Sequence, residues 1–144
     1  VNFNQGYAYL ERLEAATIDI ALHEVTPDKA PAAKDIAAFE QAALRTAGLA
    51  FEPVPPRYHA SYFRHIFGDE YSAGYYAYTW AEVLARDTGA WMHQHGGLTR
   101  ENGAALRDKI LSRGRTREPR ELFRDFYGRE PEVGPLLEYY GLGP

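Results

Sequence analysis

Glycine and proline cut this chain into stretches that suit helices and little else. Leu10, Leu13, Thr17 and Ile20 fall at helical spacing, which predicts a helix from about Tyr7 to His23. Thr26-Pro27-Asp28 and Pro31 break it. Ile36, Phe39, Ala43 and Ala47 form a second stripe that Gly48 is placed to stop, and Pro53-Val54-Pro55-Pro56 reads as a stiff extended connector. Tyr58, Tyr62 and Phe63 open a third helical segment leading to Gly68. A fourth runs from about Ala73 to Arg86, with Trp80, Val83 and Leu84 as core candidates, and a further helix carries Trp91 up to Gly96-Gly97. Thr99-Arg100-Glu101-Asn102 has the form of an N-terminal cap for a helix holding Leu106, Ile110 and Leu111. Pro119 suits the first turn of a helix with Leu122, Phe123 and Phe126, and a last one follows Pro131 with Leu136, Leu137 and Tyr140. No segment alternates as a strand does and no repeat is visible, so the expected class is all-α, with six to eight helices.

Bulk properties exclude several roles. The 144 residues suit one domain. A net charge of −4 argues against a general nucleic-acid binder. Without cysteine there are no disulfides and no thiolate metal sites. No apolar run approaches the roughly 20 residues of a membrane span. Val1-Asn2-Phe3-Asn4-Gln5-Gly6 lacks the basic start and apolar stretch of a signal peptide; with no initiating Met, the chain is expected to begin inside a longer protein.

Chemistry concentrates between His65 and Trp80, where one histidine, four tyrosines and two glycines share sixteen residues. Tyrosine and histidine can each donate a hydrogen bond to an oxygen that is gaining charge. On a single helix Tyr71 and Tyr78 would share a face about 10 Å apart. Alternatively, Tyr71 lies on a loop between Gly68 and Gly74 that folds it toward Tyr78. Composition by itself favours plain aromatic packing for this cluster, and a capped or surface role for His65.

Other constellations have weaker readings. His93 and His95 point to different sides of a helix and would chelate poorly. His23-Glu24 opens like H-E-x-x-H, but Pro27 follows and no second histidine arrives, so no zinc site is expected there. Between Arg100 and Arg129, nine Lys/Arg against five Asp/Glu leave an excess of four positive charges. A solvated, salt-bridged surface is the ordinary reading; an arginine-rich face for an acidic partner, on a non-catalytic helical module, is the alternative.

Ordered motifs along the chain carry a family resemblance. They are Phe3-Asn4-Gln5-Gly6, Ala38-Phe39-Glu40, Val54-Pro55-Pro56-Arg57-Tyr58, Ser61-Tyr62-Phe63, His65-Ile66-Phe67-Gly68 and Ala73-Gly74-Tyr75-Tyr76-Ala77-Tyr78. Gly96-Gly97-Leu98-Thr99-Arg100-Glu101-Asn102-Gly103, Ile110-Leu111-Ser112-Arg113-Gly114 and Gly128-Arg129-Glu130-Pro131 continue the series. The chain resembles the C-terminal part of the zinc metallopeptidases that include peptidyl-dipeptidase (dipeptidyl carboxypeptidase), oligopeptidase A and thimet oligopeptidase, and its glycine–threonine stretch is most like the first.

The resemblance implies a piece of a large, helical, clam-shaped enzyme acting on short peptides. All of residues 1–144 would belong to the C-terminal part of its catalytic domain. One Zn²⁺ would be held by H-E-x-x-H and a glutamate upstream, so no metal ligand and no cofactor is expected within this chain. His65 and Tyr78 match the catalytic residues that face the oxyanion. Tyr71 matches a substrate-binding tyrosine on a mobile loop flanked by Gly68 and Gly74. Partners implied are short peptides and the remainder of the same polypeptide, with no nucleic acid and no membrane, in the cytoplasm. The piece alone is expected to be inactive and to self-associate through apolar surface. One departure falls at the site: Asp69-Glu70 stand where the family usually has glycines, which puts like charge beside a peptide's C-terminal carboxylate.

Overall fold

A computed structural model describes residues 3–143; Val1, Asn2 and Pro144, and with them the start of the N-terminal stretch, lie outside the described residues. Seven α-helices and no strand occur among the described residues, so the all-α expectation holds. The chain divides into two compact units, one up to Thr79 and one from Trp80 on.

In the first unit, α1 spans Gln5–Glu24 and ends where Val25 turns extended ahead of Pro27. Single 3-10 turns at Pro27–Lys29 and Ala33–Asp35 lead into α2, Ile36–Thr46. Gly48 follows at φ +71°, the left-handed value that suits glycine beyond a helix end. The two predicted stripes face each other, but not across a closed core. Leu13, Thr17 and Ile20 of α1 and Phe39 and Ala43 of α2, with Ala47 just beyond its end, line an open groove of about 840 Å³. The closed core sits on another side of α1, where Ala15 and Ala16 pack with Phe63, Ile66 and Tyr75.

The connector after α2 starts with a turn, in which the Val54 N–H donates to the Phe51 carbonyl at 2.9 Å. The helix expected from Tyr58 begins only at Arg64: α3 is Arg64–Gly68. The reason is a carboxylate. Glu40, 3% exposed, accepts the Ala60 N–H at 2.6 Å and His59 Nδ1 at 2.8 Å, drawing residues 59–60 away from a helical path.

Helix α4, Ala77–Gln94, replaces the two helices expected around Arg86. No proline interrupts that stretch, and Gly89 alone is too weak a breaker to divide it. In the second unit, Thr99 caps α5, Arg100–Leu106, by accepting the Asn102 N–H. A π turn, Arg107–Leu111, extends it. Helix α6, Pro119–Tyr127, has proline in its first turn and Gly128 at φ 89° beyond its end. Helix α7 is Gly134–Tyr139. Val83, Met92, Leu122, Phe123, Phe126, Leu136 and Tyr140 are the buried hydrophobics here. Trp80, expected in the core, is 49% exposed, whereas Val83, about one helical turn on, is buried at 5%.

Candidate active site

The tyrosine run folds as a short helix, a tight turn and a helix start, all in the first unit. Helix α3 carries His65, half-buried, with Ile66 fully buried beneath it. The chain then extends at Asp69 and folds back. Ser72 Oγ donates to the Ile66 carbonyl at 2.7 Å, and the Gly74 N–H donates to the Tyr71 carbonyl at 2.8 Å. Tyr71 therefore lies on the turn and not on α4, and Tyr78 stands in the first turn of α4.

That path brings the rings together. Tyr71 and Tyr78 stack at 5.1 Å between centroids with a 14° interplanar angle. His65 lies 6.1 Å from Tyr71 and 6.0 Å from Tyr75, and Tyr75 lies 5.0 Å from Tyr78. Tyr71 and Tyr75 thus each touch both His65 and Tyr78, and the four rings close a circuit. Tyr75 is buried, whereas Tyr78 is 40% exposed and can meet a ligand. Tyr58 backs the group, 5.4 Å from His65 and 6.1 Å from Tyr75.

Gly68 ends α3 and Gly74 sits inside the turn, neither at positive φ. An added Cβ would come no nearer than 3.4 Å to Arg64 Cγ or to the Tyr71 carbonyl oxygen respectively. The left-handed residue of the turn is instead Ala73, at φ 53°. Asp69 and Glu70 are exposed.

Electrostatics favour a protonated phenol. Tyr78 is pushed up to about 12, first by hydrogen bonding with the Tyr71 phenol, then by desolvation. Burial raises Tyr75 as well. Near neutral pH both hydroxyls remain donors.

Sequence reasoning missed the group that sets this turn. Asp19 of α1 has no exposed surface, and its carboxylate accepts the Ala73 N–H at 2.9 Å and the Tyr75 N–H at 2.8 Å. A signal was present: Asp19 is the one charge in the run Ala15-Ala16-Thr17-Ile18-Asp19-Ile20-Ala21-Leu22. A lone charge in so apolar a run is buried with partners more readily than it is solvated.

The remaining constellations have structural roles. His95 stacks on Trp91 at 4.1 Å and its Nδ1 meets the Trp91 carbonyl oxygen. In the arginine-rich stretch Arg117 pairs with Asp125 and Glu121, and Arg120 and Arg124 both pair with Glu130. No three His, Cys, Asp or Glu side chains among the described residues are grouped to hold a metal, so these residues do not themselves fit a zinc centre. No described helix is long and apolar enough to cross a membrane.

Comparison with known proteins accounts for the ordered motifs. The model of peptidase family M3 matches residues 1–142. The chain belongs to peptidase family M3. It is 46% identical over 140 residues to the dipeptidyl carboxypeptidase of Salmonella typhimurium, covering 97% of this chain and 20% of that protein. It is 38% identical over 143 residues to oligopeptidase A of Escherichia coli, again covering 20% of the relative. Saccharolysin of Saccharomyces cerevisiae is 41% identical over 80 residues, 56% of this chain. The chain thus spans about a fifth of the length of the first two relatives.

Proposed function

We propose that these residues form the oxyanion-facing and substrate-binding part of an M3 metallopeptidase that hydrolyses short peptides and releases C-terminal dipeptides. The observation that carries the proposal is the ring circuit: His65, Tyr71 and Tyr78 converge within a chain matched nearly end to end by the family model. Over nearly the whole chain the identity is higher to a dipeptidyl carboxypeptidase (46%) than to an oligopeptidase A (38%), which supports the dipeptide-releasing form. On this reading residues 1–144 are the C-terminal part of the catalytic domain.

When water adds to a peptide carbonyl, the carbonyl oxygen takes on negative charge, and preorganised donors lower that barrier. Tyr78 O–H and a ring N–H of His65 donate to this oxygen. Tyr71, stacked on Tyr78, contacts the substrate from the turn, whose backbone at Gly68 and Gly74 lets the peptide lie close. A phenol held up to about 12 gives its hydrogen bond without losing its proton across the neutral range. The zinc that the family resemblance implies would take its ligands from outside this chain. The apolar groove between α1 and α2 would then be covered by the remainder of the polypeptide.

The test is Tyr78→Phe in the whole protein. Turnover of short peptides should fall on the order of a hundredfold, with KM changed only a few-fold. Turnover within a few-fold of the unaltered protein would sink the assignment.

A further inference from the structure

Resting on that reading, we infer that Asp19 is a positioning residue for catalysis: its buried carboxylate fixes the tyrosine-bearing turn, and through it the aim of Tyr78. Asp19 sits on α1, 54 residues before Ala73 and 56 before Tyr75, yet each of its two oxygens takes one backbone N–H of the turn. Those N–H groups flank Gly74. Between them the chain passes through the left-handed conformation of Ala73, which a side chain disfavours. A turn so placed needs an outside partner to hold it.

The carboxylate is itself held. His23 Nδ1 lies 2.9 Å from Asp19 Oδ1 and 2.8 Å from the Asp19 carbonyl oxygen. The His23 ring is 6.0 Å from Phe67 on α3. On the other side, the anchored Tyr75 packs 4.9 Å from Phe63 and 5.0 Å from Tyr78. A shift of the turn is therefore passed to Tyr78 through ring contact, although Asp19 never meets the substrate.

Replacing one oxygen by an amide group tests this directly. Asp19→Asn keeps the shape but leaves a single acceptor and turns N–H₂ toward a backbone N–H. In the whole protein D19N should lower turnover by about ten- to a hundredfold, with KM within a few-fold, as a displaced catalytic group does. The decisive readout is the double variant D19N/Y78F. If Asp19 acts through Tyr78, the double variant should be no more than a few-fold worse than Y78F alone. Losses that multiply, or a D19N protein with full turnover, would overturn the inference. Should D19N not fold, Asp19→Glu keeps both acceptors one methylene displaced, and the same non-additivity with Y78F is expected.

Hydrogen exchange on the unaltered protein gives an independent arm. The Ala73 and Tyr75 amides should exchange far more slowly than amides of a free peptide; exchange at free-peptide rates would overturn the anchor. A silent Y78F with slow Ala73 and Tyr75 amides would instead refute the functional reading and with it any catalytic use of the anchor, while the anchor itself would stand.

Discussion

Each unit buries one carboxylate without any exposed surface, Asp19 in the first and Asp87 in the second, and the two hold different things. Asp19 takes two backbone N–H groups of one turn. Asp87 takes both terminal nitrogens of the Arg129 guanidinium, at 2.9 and 2.7 Å, and the Glu132 N–H at 2.8 Å. A carboxylate on backbone amides specifies a chain path, and so the direction of the side chains on it. A carboxylate on a guanidinium joins two segments and satisfies charge with charge. Arg129 also lies over Tyr127, 3.7 Å from the ring centroid, which adds to the joint. The first arrangement suits a site, the second a scaffold.

Removing the scaffold carboxylate should have the largest effect on stability. Asp87→Ala leaves the arginine and an amide without their acceptor and should cost about 3 kcal/mol in denaturant unfolding, the lower end for a broken buried pair because Arg129 is partly exposed. Exchange at Ala73 and Tyr75 should not change. A loss below about 1 kcal/mol, or faster exchange in the turn, would erase the proposed difference between the two carboxylates.

A third buried carboxyl sharpens the comparison through pH. Glu14, also on α1, is 1% exposed, and its Oε2 has no hydrogen-bond partner. Burial first, and the charge of Glu11 second, raise its pKa from 4.5 to about 7. Because the folded value is the higher one, the stability it confers is complete below about pH 4.5 and is lost as pH rises through about 7. The melting temperature should accordingly fall between about pH 5 and pH 8, and Glu14→Gln should flatten that part of the profile. An unaltered slope in the variant would assign the fall to other groups.

The smallest expected change is a gain. Ala73→Gly removes the left-handed penalty at φ 53° and adds chain entropy to the unfolded state, leaving a net stabilisation of about 0.5 kcal/mol. Destabilisation on denaturant titration would mean that the turn stores no strain for Asp19 to hold.

Much of the helical frame was legible in the residues, because capping and breaking act locally. Pro27, Gly48, Gly96, Thr99 and Pro119 stop or start helices at or near the places their chemistry demands. Local rules failed where a distant group intervened. The helix expected from Tyr58 is shortened by Glu40, some 20 residues earlier in the chain. The stripe of Leu13, Thr17 and Ile20 was read correctly as apolar, but spacing cannot tell a groove from a core. The candidate site divides in the same way: the residue types in the tyrosine run pointed to hydrogen-bond donation, while spacing left Tyr71 open between a helix face and a loop.

By itself, then, the sequence determined the all-α class, the breaks between helices and the stock of donors between His65 and Tyr78, since each depends on residues within a few positions of one another. Tertiary structure alone decided which rings meet. The turn that carries Tyr71 and Tyr75 is gripped by a buried carboxylate more than fifty residues away. Burial makes such a grip strong, because no water competes for the acceptor.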